Sequence, residues 1–270
     1  MAHDRFTLGV IGVGAMGGAI ARGVVASGVL RPEDVSVCDV DPARLEPFAD
    51  AGVNVLPDAR SLVEEQTDVV LIAVKPQVLP EVSSGFADLL SGRSVVSIAA
   101  GVNLKTLEGL FVGARVIRVM PNLPIQVQSG ATAIACGRTA TDLDVERVRQ
   151  LFGALGSAQV MREDQLDAEG AVVSCGPAYI ALFVDALTRA GVRAGMPAQA
   201  CREMVEATML GVAKQLLESQ EHPRAYMERV TSPGGTTAAG LYALEPLLLE
   251  GAYDAVDAAL HRTAELAEGR

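Results

Sequence analysis

The sequence predicts an α/β chain in two parts: a parallel sheet with crossover helices over residues 1–161, then an all-α segment over residues 162–270. Three observations carry this reading. Short β-branched runs alternate with amphipathic stretches to about residue 160, which is how strands joined by crossover helices read. A glycine string, Gly12-Val13-Gly14-Ala15-Met16-Gly17, follows the first of those runs directly. From Glu163 onward the β-branched runs give way to apolar residues at helical spacing.

The first strand is expected over Thr7–Ile11, with a helix from Ala15 to about Ala26. Val35–Cys38 reads as the second strand. After it, Asp41-Pro42 offers a capping side chain before a proline at a first helical position. Strands at Val53–Val55 and Val69–Val74 follow, the latter bounded by Asp68 and Lys75. It is a buried strand in length, and no apolar run approaches the roughly 20 residues of a membrane helix. Ser94–Ile98, Arg115–Val119 and Ala131–Cys136 are the next strands. Thr141-Asp142 opens a helix over Leu143–Leu155, and the sheet ends near Ser157–Met161.

Helices are then expected at Glu163–Val173, Pro177–Ala194, Pro197–Ser219, Pro223–Val230 and Gly235–Leu244, with a last one to the C-terminus. Ala178–Val184 is apolar nearly all round. Such a helix must be covered on every side, and Ala-rich helices in about 110 residues make a thin domain. A second subunit is therefore expected to complete its core.

The 270 residues are 50% hydrophobic and 20% charged, so burial can offset ordering without disulfides or metals. A net charge of -11 disfavours a nucleic-acid partner. Cys38, Cys136, Cys175 and Cys201 are dispersed, without metal-ligand spacing, and the N-terminus lacks a basic stretch leading into a long apolar one. A cytoplasmic protein without metal and away from membranes is the expectation.

The glycine string sits between a strand and a helix, where the dinucleotide fingerprint requires it. Gly12 makes the turn, Gly14 lets the backbone approach a pyrophosphate, and Gly17 allows close packing. The helix N-terminal amides receive the phosphates. The N-terminal part is thus expected to be a Rossmann dinucleotide-binding domain. Asp39, at the end of the second strand, would accept from the adenosine ribose and so leans towards NADH. Helix capping is its alternative role, and Arg44 offers a competing contact for the 2'-phosphate of NADPH.

Gly12–Gly17, Ala73-Val74-Lys75-Pro76-Gln77, Ala99-Ala100-Gly101, Arg118-Val119-Met120-Pro121-Asn122 and Thr231-Ser232-Pro233-Gly234-Gly235-Thr236-Thr237 occur in this order. With them the chain resembles the pyrroline-5-carboxylate reductases from about residue 6 to its last helix. The resemblance implies a Rossmann domain followed by an all-α dimerisation domain, a homodimer through the C-terminal helices, and a further assembly of dimers. It implies NADH- or NADPH-dependent reduction of the C=N bond of 1-pyrroline-5-carboxylate to proline. Cofactor contacts are implied at Ile11, Gly12, Val13, Gly14, Ala15, Met16, Gly17, Asp39, Ala73, Val74, Lys75, Pro76, Ala99, Ala100, Gly101 and Asn122. The substrate carboxylate is implied to lie against Ser232, Gly234, Gly235, Thr236 and Thr237, with the Thr237 hydroxyl near the ring nitrogen as the catalytic group.

The chemistry is compatible with uncharged donors, because an imine reduction needs hydride, a proton on nitrogen and a grip on one carboxylate. Lys75 reads equally as a solvated strand end. Glu163 matches an acidic substrate-side position loosely and reads equally as a first-turn helix acid. One departure stands out: where Ser-Gly-Ser-Gly-Pro-Ala-Tyr is expected, the chain has Val173-Ser174-Cys175-Gly176-Pro177-Ala178-Tyr179, which puts local substrate contacts in doubt. A related imine or β-hydroxyacid reductase is the first alternative. A hydroxyacid oxidation needs a base, for which Lys214, His3, His222 and His261 are poor candidates. A nucleotide sensor without activity is the second, and it has no use for two threonines beside an anion-binding helix start.

Overall fold

The computed structural model describes residues 5–267, apart from the side chains of 266 and 267. Eight strands form one sheet: β1 (Leu8–Ile11), β2 (Val35–Cys38), β3 (Asn54–Val55), β4 (Val69–Ile72), β5 (Ser94–Ser97), β6 (Arg115–Pro121), β7 (Gly130–Cys136) and β8 (Gly156–Val160). Their spatial order is β3-β2-β1-β4-β5-β6-β7-β8, parallel throughout except between β6 and β7. That antiparallel pair departs from the expected parallel sheet. Residues 122–129 between the two strands hold only a short 3-10 turn, Leu123–Val127, and a parallel return would need a crossover of a dozen residues or more.

The alternation of side chains along β4 divides the core. Leu71 joins a cluster with Leu8, Val10, Ile20, Ile117 and Phe152. Val70 and Ile72 join a second cluster with Leu62, Leu107 and Phe111. The first is covered by α1 (Ala15–Ala26) and α6 (Asp142–Gly153), the second by α3 (Ala59–Glu64), α4 (Leu79–Ser84) and α5 (Leu104–Leu110). A short α2 (Glu46–Asp50) contributes Phe48. Helix starts follow the sequence: Asp41 accepts from the Ala43 amide, and Thr141 and Asp144 form a reciprocal capping box.

The expected helix over Glu163–Val173 is instead a 3-10 turn (Glu163–Gln165), α7 (Leu166–Glu169) and a π-turn (Gly170–Ser174). Pro177 contributes to the break between this stretch and the helix that follows. It has no N–H to offer the Val173 carbonyl four residues earlier, and the Asn122 side-chain amide donates to that oxygen instead, at 3.1 Å. The helical segment continues as α8 (Gly176–Arg193), α9 (Ala198–Ser219), α10 (Pro223–Arg229) and α11 (Thr236–Ala267). α11 unites the two last expected helices. Its internal Pro246 removes a single ladder bond, and the leucine-rich turns on either side carry the helix past it.

The chain forms two compact units: one runs to Ser174 and resumes at Leu260, the other is Cys175–Ala259. In the second unit Cys201 is buried against α8, its thiol 3.6 Å from the Thr188 carbonyl. The outer apolar surface is open: Ile180 is 54% and Leu182 68% exposed. The stretch Glu163–Arg193 reaches a mean hydropathy of 1.6 over 18 residues, of which 6% are buried within the chain. By length and composition alone this stretch could cross a membrane, a test that core helices of soluble proteins also pass.

Candidate active site

In an open parallel sheet ligands lie beyond the carboxyl ends of the strands, where the order of strands reverses. Here the reversal falls between β1 and β4, with Ile11 level with Ile72 and with Cys38 of β2. Gly12 turns the chain at the end of β1 with φ +93°, and a Cβ there would lie 2.9 Å from the Ala73 carbonyl oxygen. Five residues on, a Cβ at Gly17 would lie 2.1 Å from the Gly12 carbonyl oxygen and 2.6 Å from the Ala73 Cβ. These two glycines bring α1 down onto the strand ends. Gly14 is different, since a Cβ there would meet only the Arg44 guanidinium, at 3.6 Å. α1 starts after Gly14 with no side chain capping it, so its first-turn amides stay available to an anion. Val13 and Ile11 are buried beneath the turn, while Ala15 is exposed at its surface and Met16 half-buried.

Asp39 ends β2 beside this turn. One carboxylate oxygen accepts from the Val13 amide at 2.8 Å and the other from the Asp41 amide at 2.9 Å. Its side chain is 6% exposed and lies 3.7 Å from the Arg44 guanidinium. Ala73–Pro76 follows β4 and Ala99–Gly101 follows β5, so the fold brings both strings to the same edge. There Lys75, Ala100 and Gly101 are exposed, Ala73, Val74 and Pro76 half-buried, and Ala99 buried. Asn122 follows β6, buried, and works as a bracket: its carbonyl oxygen accepts from the Ala131 amide at 2.8 Å while its NH2 holds Val173.

Glu163 sits in the same unit, half-buried. Its carboxylate accepts from the Leu104 amide at the start of α5 and faces Arg118 at 3.4 Å. Arg118 itself, 4% exposed on β6, also reaches Asp167 at 3.4 Å. The pairing of these three side chains is not anticipated by the sequence motifs. Its signal is an arginine inside the buried run Val116-Ile117-Arg118-Val119, a position tolerated only where carboxylates neutralise it.

Glu169 is the other group not anticipated. It accepts from the Ser174 hydroxyl at 3.3 Å, and burial pushes its carboxyl up to about 7, opposed by that hydrogen bond and by the Arg118 charge. The native state therefore holds a proton that the unfolded chain releases near its ordinary pKa of 4.5. Stability conferred by this site should fall as pH rises from about 4.5 to 7 and stay low above that. Glu169→Gln keeps an acceptor for Ser174 without the charge. It is expected to stabilise the protein by about 2 kcal/mol at pH 8 and by little at pH 5. Denaturant titrations at the two pH values check this, and equal effects would place the charge elsewhere.

In the second unit, Ser232–Gly235 forms the turn that opens α11. Gly234 has φ +67°, and the Gly235 amide donates to the Ser232 carbonyl at 3.0 Å. The helix begins at Thr236. Ser232, Gly234, Thr236 and Thr237 are exposed and Gly235 half-buried, so this turn presents amides and two hydroxyls at one helix start. Cys175 is exposed immediately before α8. Among the described residues no group of three His, Cys, Asp or Glu side chains is placed to hold a metal ion.

Comparison with known proteins matches both parts of the chain. A family model described as pyrroline-5-carboxylate reductase dimerisation covers residues 163–266. A second, described as NADP oxidoreductase, coenzyme F420-dependent, covers residues 7–101. The pyrroline-5-carboxylate reductase of Glycine max is 40% identical over 97% of either chain. That of Methanosarcina acetivorans is 37% identical over 96% of this chain and 97% of its own. Among solved structures, the Coxiella burnetii pyrroline-5-carboxylate reductase superposes with a TM-score of 0.92 at 31% identity, covering 97% of this chain and 99% of its own. Plasmodium falciparum pyrroline carboxylate reductase with NADP bound has a TM-score of 0.85 at 27% identity, covering 97% and 98%. With a glycine turn at the switch point of its sheet, a second opening its last helix, and these matches over nearly its whole length, the chain belongs to the pyrroline-5-carboxylate reductase family.

Proposed function

We propose that the chain reduces 1-pyrroline-5-carboxylate to proline with NADH or NADPH, and that the Ser232–Thr237 turn is where the imino acid is held. The observation that carries this is the opening of α11: two glycines, one with φ +67°, lead directly into Thr236 and Thr237 at the helix start, both of them exposed. An amide-lined helix start suits one carboxylate, and the Thr237 hydroxyl is the donor or acceptor for the ring nitrogen. Without a charge to give up, Thr237 orients and polarises the C=N bond, while solvent or the iminium itself supplies the proton.

The strand-end crevice fits a dinucleotide. Gly12 and Gly17 create the close approach, the uncapped α1 faces the pyrophosphate, and Ala73–Pro76, Ala99–Gly101 and Asn122 line the continuing edge. When bound, the reduced nicotinamide supplies the hydride. The protein's own contribution is to hold the imino acid by its carboxylate and its ring nitrogen. Glu163, which the resemblance assigns to the substrate side, is engaged with Leu104 and Arg118.

Functionally the division lies at 161/162, just past β8, with nucleotide binding before it and substrate binding and dimerisation after it. The open apolar surfaces of α8, α9 and α11 are the homodimer interface in this reading, and a protein partner accounts for the apolar 163–193 stretch. Four free cysteines are compatible with a reducing cytoplasm.

Thr237→Ala is expected to lower kcat/KM for pyrroline-5-carboxylate about ten- to a hundredfold, the effect of one lost hydrogen bond. Nucleotide affinity should be nearly unchanged, and Thr237→Ser should retain most activity. Steady-state kinetics with the five-membered imine and a panel of 3-hydroxy acids tests the assignment. A kinetically silent alanine, or preferential turnover of hydroxy acids, would refute it.

A further inference from the structure

We propose that Asp41, through Arg44, sets the preference between NADH and NADPH, whereas Asp39 serves to anchor the glycine turn. The inference rests on the reading of the strand-end crevice as the nucleotide site.

The two carboxylates have different employment. Asp39 is nearly buried, with both oxygens on main-chain amides, one of them from Val13 inside the glycine turn. Replacing it would loosen the turn that any dinucleotide needs, so it is poorly placed to discriminate between two of them. Asp41 is half exposed, at 46%. One of its oxygens caps the 3-10 turn through the Ala43 amide at 3.1 Å, and the other holds the Arg44 Nε at 3.2 Å.

Arg44 lies between these acids, with its Nη1 3.7 Å from Asp39 and 3.6 Å from where a Cβ would stand on Gly14. Its guanidinium therefore spans from the end of β2, where an adenosine ribose is recognised, to the phosphate-facing turn. Two carboxylates and one guanidinium leave a local charge of about -1 at neutral pH. A ribose hydroxyl tolerates that field. A 2'-phosphate, carrying about -1.5 to -2 charges, does not. Arginine is the side chain suited to bidentate phosphate binding, and here Asp41 occupies one edge of it.

Asp41→Asn removes the charge and keeps the cap, since asparagine is as good a capping residue as aspartate. It also frees the Arg44 Nε edge for a phosphate. Nicotinamide fluorescence titrations of wild type and Asp41→Asn with NADH and NADPH, and displacement by 5'-AMP and adenosine 2',5'-bisphosphate, measure the consequence. The ratio of affinities should move about five- to tenfold towards NADPH. The bisphosphate should gain over AMP by a similar factor. The gain should shrink between about 0.05 M and about 0.5 M salt, and adding Arg44→Gln should abolish it. Asp41→Ser, another capping residue, should behave like Asp41→Asn and substitutes for it if that variant is unstable. Equal shifts for both nucleotides, or none, would overturn the role of Asp41. Survival of the gain in the Arg44→Gln background would overturn the route through Arg44. Failure of wild type to bind either nucleotide would instead overturn the cofactor reading, and this proposal with it.

Discussion

Gly17→Ala is expected to destabilise the N-terminal unit by about 3 kcal/mol or more and to abolish nucleotide binding, although it adds one methyl group. The added carbon would lie 2.1 Å from a main-chain oxygen of Gly12 and 2.6 Å from Ala73, and neither neighbour is the movable end of a side chain. Relief requires lifting α1 off the strand ends, which displaces the glycine turn proposed to receive the pyrophosphate. Gly14→Val is the matched contrast. Its surroundings are open apart from Arg44, so the protein should fold, with a melting temperature near that of wild type, and bind nucleotide weakly because the side chain fills the backbone approach. Thermal melts and calorimetric titration of the two variants separate the effects. A Gly17→Ala protein with wild-type melting and binding would contradict the close packing, and a Gly14→Val protein with full affinity would remove that glycine from the site.

A charge in the apolar run of α8 is expected to be as damaging. Ala181→Asp or Val184→Lys places an ion within the apolar Ala178–Val184 run, which the isolated chain leaves largely exposed. A charge buried without a partner is disfavoured by several kcal/mol, and an obligate dimer draws its folding stability from its partner. Loss of the dimer, accompanied by loss of helix content and activity, is the expected outcome by light scattering and circular dichroism. If the wild type is instead a stable, active monomer at low concentration, the exposed face has another use and the interface assignment falls.

Much of the sheet could be read directly from the sequence because its strands are short, apolar and punctuated. β2 and the start of β5 fall at their expected positions, and α1 spans Ala15–Ala26 as the glycine string implies. The reversal of β7 was hidden because periodicity reports that a strand exists but carries no sign of its direction. Only the brevity of residues 122–129 held that information. The π-turn was hidden for a similar reason: Gly170–Ser174 has an ordinary helical composition, and its geometry depends on Asn122, some 50 positions away, supplying what Pro177 lacks. Asp39 shows how a legible location can leave the contacts made there unread. Its place at the end of β2 follows from spacing, whereas its bond to Val13 depends on the three-dimensional closure of the turn.

The reversal of β7 also bears on how the chain finds its fold. Joining β6 to β7 requires closing only residues 122–129, whereas β1 can meet β4 only after residues 12–68 have been looped out, a segment about seven times longer. Loop-closure entropy grows with the logarithm of length, so the second seam is disfavoured by about 2 kcal/mol relative to the first before any contact repays it. The same crossing that sets the switch point of the sheet, two strands adjacent in space and remote in sequence, is thus the seam with the largest entropic handicap. Its closure depends on the two apolar layers already gathering the intervening strand and helices onto one sheet.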